Sequence, residues 1–244
     1  MLRSKATIFG MIAALVVMTG AFTAISADVR DGAATATTGD SILTVNGEPV
    51  EESAFLTRVA TVEQNVVMLE AQAGNAPEGN ELAESMLAIL QETPVETIAL
   101  ASLIMDEALY QEAIARGHQP DEEQITAQIE QERETFEMIE ADPEQFGVDE
   151  AAIEQYRENI EDAGGEDRYW NEHYPRVMRQ QMTMQQFQMA AGQSEEEWIG
   201  VQRQAFNEAD VQIDDAERIA PATVSNAGEY LNRIWELYQA EDVG

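Results

Sequence analysis

The sequence predicts a mainly α-helical fold with one short strand near each end of the domain, the two pairing as a small β-element. Three observations carry this. Apolar residues recur at spacings of three and four through most of residues 50–240. Helix start and stop signals divide that pattern into segments of ordinary length. Only two short runs, residues 41–46 (SILTVN) and 209–213 (ADVQI), favour strands. Strands this short are marginal alone, so Leu43–Val45 and Val211–Ile213 are expected to pair.

Each element follows from local chemistry. Asn46-Gly47 is a turn signal after the first strand. Beyond Pro49 the chain turns helical, with Phe55, Val59, Val62, Val66 and Leu69 on one stripe. Residues 74–80 (GNAPEGN) break that helix, and residues 81–91 form a second, with Leu82, Met86, Ile89 and Leu90 on a face. Thr93-Pro94-Val95-Glu96 reads as a start: a capping Thr93, a proline at the first helical position and Glu96 completing a capping box. That helix carries Ile98, Leu103, Ile104, Leu109 and Ile114 to Gly117, a C-terminal αL glycine.

Asp121 caps the next helix, whose acidic first turn suits the positive end of the dipole and which holds Ile125, Ile129, Phe136 and Ile139. Asp142-Pro143 and Gly147 interrupt, Asp149 caps a helix to about Ala163, and Gly164-Gly165 ends it. Residues 166–191 read as one long helix with a kink at Pro175. Ser194 to Glu197 is a second capping box, ahead of Trp198, Val201, Ala205 and Phe206. Residues 225–240 make a last amphipathic helix with Tyr230, Leu231, Ile234, Trp235 and Tyr238. Trp170, Trp198 and Trp235 read as core anchors.

Composition narrows function. The 244 residues hold 47 acids against 13 Lys plus Arg, a net charge of −34. Such a chain lacks the basic face that phosphate backbones and anionic membranes require, so no nucleic-acid partner is expected. Without cysteine there is no disulfide, thiolate chemistry or Cys-ligated zinc. With 44% hydrophobic residues a core can still form. The only lysine is Lys5, and a lysine-free acidic surface is strongly hydrated, as adaptation to high salt or a codon bias would each produce.

Residues 1–27 read as an address. Arg3 and Lys5 precede 22 uncharged residues with an apolar centre at 8–17 and a small-x-small Ala24-Ile25-Ser26. This is a signal peptide or an uncleaved membrane anchor, and either places the rest outside the cytoplasm, with no membrane contact beyond this segment. Residues 28–40 are a flexible linker, 41–217 the helical domain and 218–244 a C-terminal helical extension.

Two stretches resemble a known family. Ile42-Leu43-Thr44-Val45-Asn46-Gly47-Glu48-Pro49-Val50 leads into a helix with Phe55. Leu100-Ala101-Ser102-Leu103-Ile104-Met105-Asp106-Glu107-Ala108-Leu109-Tyr110-Gln111-Glu112-Ala113 is followed by Arg116-Gly117 and Asp121-Glu122-Glu123-Gln124-Ile125. In order and spacing they resemble the N-terminal chaperone domain of SurA and PrsA, extracytoplasmic foldases related in fold to trigger factor's substrate-binding arm. The resemblance spans residues 41–215 and implies an exported chaperone binding unfolded or partly folded exported proteins. The family's parvulin prolyl-isomerase domain, often inserted before the final strand, has no room in residues 188–208, so isomerase activity is not carried over and the chain is not expected to be an enzyme. The alternatives are a prolyl isomerase and a dedicated binding or assembly protein for one exported partner.

No constellation points to catalysis or a cofactor. His118 follows a helix-ending glycine and reads as solvated. His173 has Tyr169 and Val177 one turn away on either side, which is no metal-ligand pattern, and reads as a surface or capping residue. No metal is expected, and with 47 acids, carboxylate pairs occur by chance. The candidate client-binding set is soft and apolar: Met178, Met182, Met184, Phe187 and Met189, interleaved with glutamines able to bond an extended backbone. The competing reading makes Met178, Met182 and Met189 one core-facing stripe, with Met184 the exposed member.

Overall fold

The computed structural model describes residues 41–73, 81–191 and 194–241. The expected signal or anchor, the linker and the break at 74–80 lie outside the described residues.

The fold is mainly α with one small antiparallel sheet. Strand β1 (Ser41–Val45) lies between β2 (Glu48–Glu51) and β3 (Val211–Ile213). The expected pairing forms, with Leu43 opposite Ile213 and Val45 opposite Val211. Strand β2 was not expected, since the sequence pattern turns helical beyond Pro49. It sits at a sheet edge, where a missing N–H is tolerated. Asn46 (φ 52°) and Gly47 (φ 87°) make the two-residue hairpin turn between β1 and β2.

Helix α1 (Glu52–Ala73) and α2 (Glu81–Glu92) lead to α3 (Val95–Ala115), the central helix, on which α1, α8, α9 and α10 pack. Thr93 closes the preceding helix, its hydroxyl donating to the Ile89 carbonyl at 2.7 Å, and Pro94 takes the N-cap position without a side-chain cap. The expected capping box there is therefore absent. Gly117 is left-handed as expected (φ +83°), and bonds from Gly117 to Ile114 and from His118 to Ala113 close the end of α3 as a Schellman motif.

Next comes a helical arm: α4 (Glu122–Ala141), the single turn α5 (Pro143–Phe146) and α6 (Glu150–Asp162). Asp149 caps α6 through the Ala152 N–H at 2.8 Å, and Gly164 and Gly165 (φ +94° each) end the excursion. Helix α7 (Glu166–Arg168) runs into a π turn (Tyr169–His173) and then α8 (Tyr174–Ala191). The π turn stands where a proline kink was expected. Pro175 offers no N–H to the turn before it, and the register widens just ahead, Tyr174 bonding the Tyr169 carbonyl five residues back. The wider turn brings Tyr169, Trp170, His173 and Tyr174 into one interior. His173 is thus buried, not the surface residue the sequence suggested.

Helix α9 (Glu195–Glu208) starts with the expected reciprocal box, Ser194 and Glu197 exchanging bonds of 3.2 Å. Helix α10 (Pro221–Glu241) is no mere extension: Ala227, Tyr230, Leu231, Ile234 and Trp235 lie in the main core.

That core gathers β1, the inner faces of α1 and α2, the apolar face of α3 from Ile98 to Ala113, and inward residues of α8 to α10. A second, smaller one joins Ile125 of α4, Ile160 of α6 and Ala163 to Tyr169, Trp170, Tyr174 and Met178. Helix α8 serves both.

Candidate client-binding surface

The strand-turn-helix opening is tied to the rest of the fold by Asn46. Its amide donates to Gln111 of α3 at 2.8 Å, while its side-chain oxygen accepts the Asp210 N–H at 2.7 Å. Its own backbone N–H donates to the Asp210 carbonyl at 2.7 Å. Gln111 donates to the Val45 carbonyl (3.0 Å) and to Glu107 (2.7 Å). The turn residue thus locks hairpin, return strand and central helix together. Burial pushes the Glu107 carboxyl above its ordinary value, a rise opposed by the bond from Gln111 and reinforced by the neighbouring Glu48 and Asp106.

Between α1 and α3 lies a buried ion pair that sequence reading missed. Arg58 reaches Asp106 at 2.8 Å and Ser102 at 2.6 Å, with little of the guanidinium exposed. Desolvation pushes the Asp106 carboxyl up despite the lowering by Arg58. A signal existed: Arg58 follows Phe55 by three and precedes Val62 by four, so it falls on the buried stripe.

The methionine-rich helix divides between the two interiors. Met178 is buried in the smaller core and Met182 packs against it from a half-buried position. Phe187 is fully buried in the main core, edge-on to Trp198 (5.8 Å) and beside His118 (5.4 Å). His118 is accordingly half-buried, not solvated. Met184 packs against the same core, so it is not the exposed member. That is Met189, 67% exposed at the far end of α8. The five residues therefore do not make one face, because α8 is covered by α3, α4 and α9 from different sides.

Large apolar side chains are exposed elsewhere. Leu56, Val67 and Met68 stand on the outer side of α1, Val67 at 65% exposure. Met138 (52%) and Phe146 (42%) stand on the outer part of the arm. No periodicity singled these out, since an exposed apolar residue in a helix resembles a buried one.

The arm's base is an aromatic ladder. Phe136 stacks on Tyr156 at 4.4 Å, Tyr156 meets Tyr169 edge-on and through a 3.2 Å hydroxyl bond, and Tyr169 stacks on Tyr174 and His173. Burial pushes the Tyr169 hydroxyl up to about 12, and those of Tyr156 and Tyr174 higher. These phenols stay protonated and serve packing.

Among the described residues, no group of three or more acids or histidines is placed to hold a metal ion. No single described helix is long and apolar enough to cross a membrane. Residues 84–92 of α2 and α3 qualify only as a pair bent by 105°, and α3 is the core helix. Comparisons with protein-family models, with curated proteins and with solved structures find no match.

Proposed function

We propose that the chain is an exported chaperone module that binds non-native polypeptides without catalysis. The observation that carries the reading is the presence of large apolar side chains on two outer helical surfaces, α1 and the arm, in a chain of net charge −34. Surfaces of this kind bind apolar segments adaptably, and methionine is a suitable contact because it repacks around varied shapes. The surrounding acids keep a loaded complex soluble. The resemblance to the SurA/PrsA-type domain supports the same reading, as does a return strand that pairs with the first strand across the helices between. Of the methionine set, Met189 is the member offered to a client. The gap where that family often carries a parvulin domain holds helix α9, so isomerase activity is no part of the proposal.

The test is suppression of aggregation of a chemically unfolded model client, followed by light scattering. Suppression near equimolar protein supports the reading, and none at fivefold excess removes it. A proline-peptide isomerisation assay run beside it should stay at the uncatalysed rate. A pull-down from an exported-protein fraction should return a spectrum of clients, and one stoichiometric partner would favour a dedicated assembly protein.

A further inference from the structure

We infer that the arm of α4, α5 and α6 is the part of this surface that selects clients, and that the clients it takes are cationic segments carrying apolar side chains. The inference rests on the chaperone reading and adds the client class to it.

The arm is seated on the body at one end, and Met138 and Phe146 belong to neither core. Helix α4 has 20 residues, about 30 Å at the usual rise per residue. Its first turns and the last turns of α6 sit on the smaller core through Ile125, Ile129, Ile160 and Ala163. The Phe136–Tyr156 stack packs on the same core, and it and the Arg157–Glu140 pair at 2.8 Å hold the two helices together. Met138 and Phe146 are exposed on the outer part of the arm.

Charge tells what can cover them. Residues 121–168 contain 18 acids and three arginines, a net −15 in 48 residues. The other 196 residues carry −19, so the segment that holds the arm is about three times as densely charged. The net already includes the three arginines, which meet glutamates (Arg133 with Glu137, Arg157 with Glu140 and Glu154, Arg168 with Glu172), and from the body Arg179 meets Glu122 at 2.8 Å. A second copy of this chain would bring the same −15 against it, and like charges at close quarters oppose docking. A peptide with Lys or Arg beside Leu or Phe meets both demands, placing apolar groups on Met138 and Phe146 and cations among the surrounding acids.

The test uses the full chain and two fluorescent peptides with one shared Leu/Phe pattern, bearing either four arginines or four glutamines. Anisotropy titrations are run in 0.1 M and 1 M NaCl, where the Debye length falls from about 10 Å to about 3 Å. The cationic peptide should bind about tenfold tighter at low salt, narrowing to about threefold or less at high salt. M138S/F146S should weaken both peptides about fivefold or more, from lost apolar burial. E130Q/E134Q/E144Q/E158Q should abolish the preference and leave the neutral peptide unaffected. E196Q/E217Q/E229Q/E236Q, an equal charge change on the body, should leave the preference intact. Far-UV circular dichroism confirms folding of each variant. Equal affinity for both peptides overturns the client class and leaves the chaperone reading standing. Binding of neither peptide removes both. A preference that survives the arm changes, or falls equally with the body changes, overturns the arm as its seat. A dimer that M138S/F146S dissociates, seen by sedimentation, would assign the tip to a second copy.

Discussion

Replacing Arg58 by methionine probes the join between α1 and α3. The guanidinium is buried, bonded to Asp106 at 2.8 Å and to Ser102 at 2.6 Å. Methionine keeps much of the stem's packing and removes the charge. What remains is a desolvated carboxylate without its counter-ion, and breaking a buried pair this way costs about 3–5 kcal/mol. Asp106 retains partial access to water, a quarter of its side chain being exposed, so about 3 kcal/mol is the working figure. For a chain of this size, that lowers the unfolding midpoint by about 6–12 °C. The pH dependence is the sharper part. The folded Asp106 carboxyl is already raised above its ordinary value, by burial first and against the lowering by Arg58. A raised carboxyl binds its proton more tightly folded than unfolded, so its contribution favours folding at low pH and is lost as pH rises through the folded value. Without Arg58 the rise is larger, so the deficit of the variant should be small near pH 3.5 and fully open by pH 7. Urea unfolding followed by tryptophan fluorescence at both pH values measures it. A deficit under about 1 kcal/mol at pH 7, or one equal at both, would refute the account of this pair as a buried charge couple.

Other perturbations separate the remaining parts of the structure. Asn46→Ala removes the bonds to Gln111 and Asp210 from a residue at φ 52°, and should cost about 2 kcal/mol in chemical unfolding, while Glu48→Gln on the neighbouring strand should cost little. Phe187→Ala should cost about 3–5 kcal/mol because the ring is fully buried, whereas Met189→Ala should leave the midpoint within about 1 °C and weaken client binding. In a spectrophotometric titration, Tyr156, Tyr169 and Tyr174 should ionise well after ordinary tyrosines, Tyr169 near 12. Because burial raises these phenols in the folded state, the stability tied to them is intact below about pH 10 and is lost as pH climbs through the raised values, so the protein should unfold in alkali. Raising NaCl from 0.1 to 1 M should raise the midpoint by screening a net charge of −34.

Much of the fold was legible because its signals are local. Asp149, Gly117 and the Ser194–Glu197 pair act on backbone groups within a few residues, and each appears where its chemistry places it. The pairing of Leu43–Val45 with Val211–Ile213 was legible for another reason: they were the two strand-prone runs in a chain otherwise patterned as helix, and a short strand is marginal alone. Failures came where distant context overrode a local rule. The chain was expected to turn helical beyond Pro49, yet residues 48–51 first pair with β1 as an edge strand, where the proline's missing donor is harmless. Thr93 had the look of a cap for the following helix and instead closes the one before it. His173 read as a surface or capping residue, but the π turn before Pro175 places it in the interior against Tyr169.

The candidate site was harder to read because helical periodicity reports that a residue faces something, not what it faces. Met178 and Met189 are eleven residues apart, about three turns, and so share a face. Met178 lies under the arm and Met189 beyond its cover. The same ambiguity hid Met138 and Phe146, which look like core residues in sequence and are exposed because the arm outruns its own core. Charge density adds a regional signal only. Among the 18 acids and three arginines of residues 121–168, Ile125, Ile153 and Ile160 are buried while Met138 and Phe146 are exposed, so charge marks the segment and not which of its apolar residues face solvent. The net −15 of residues 121–168 is the feature on which the proposed preference for a cationic client rests, and it is legible in the sequence alone.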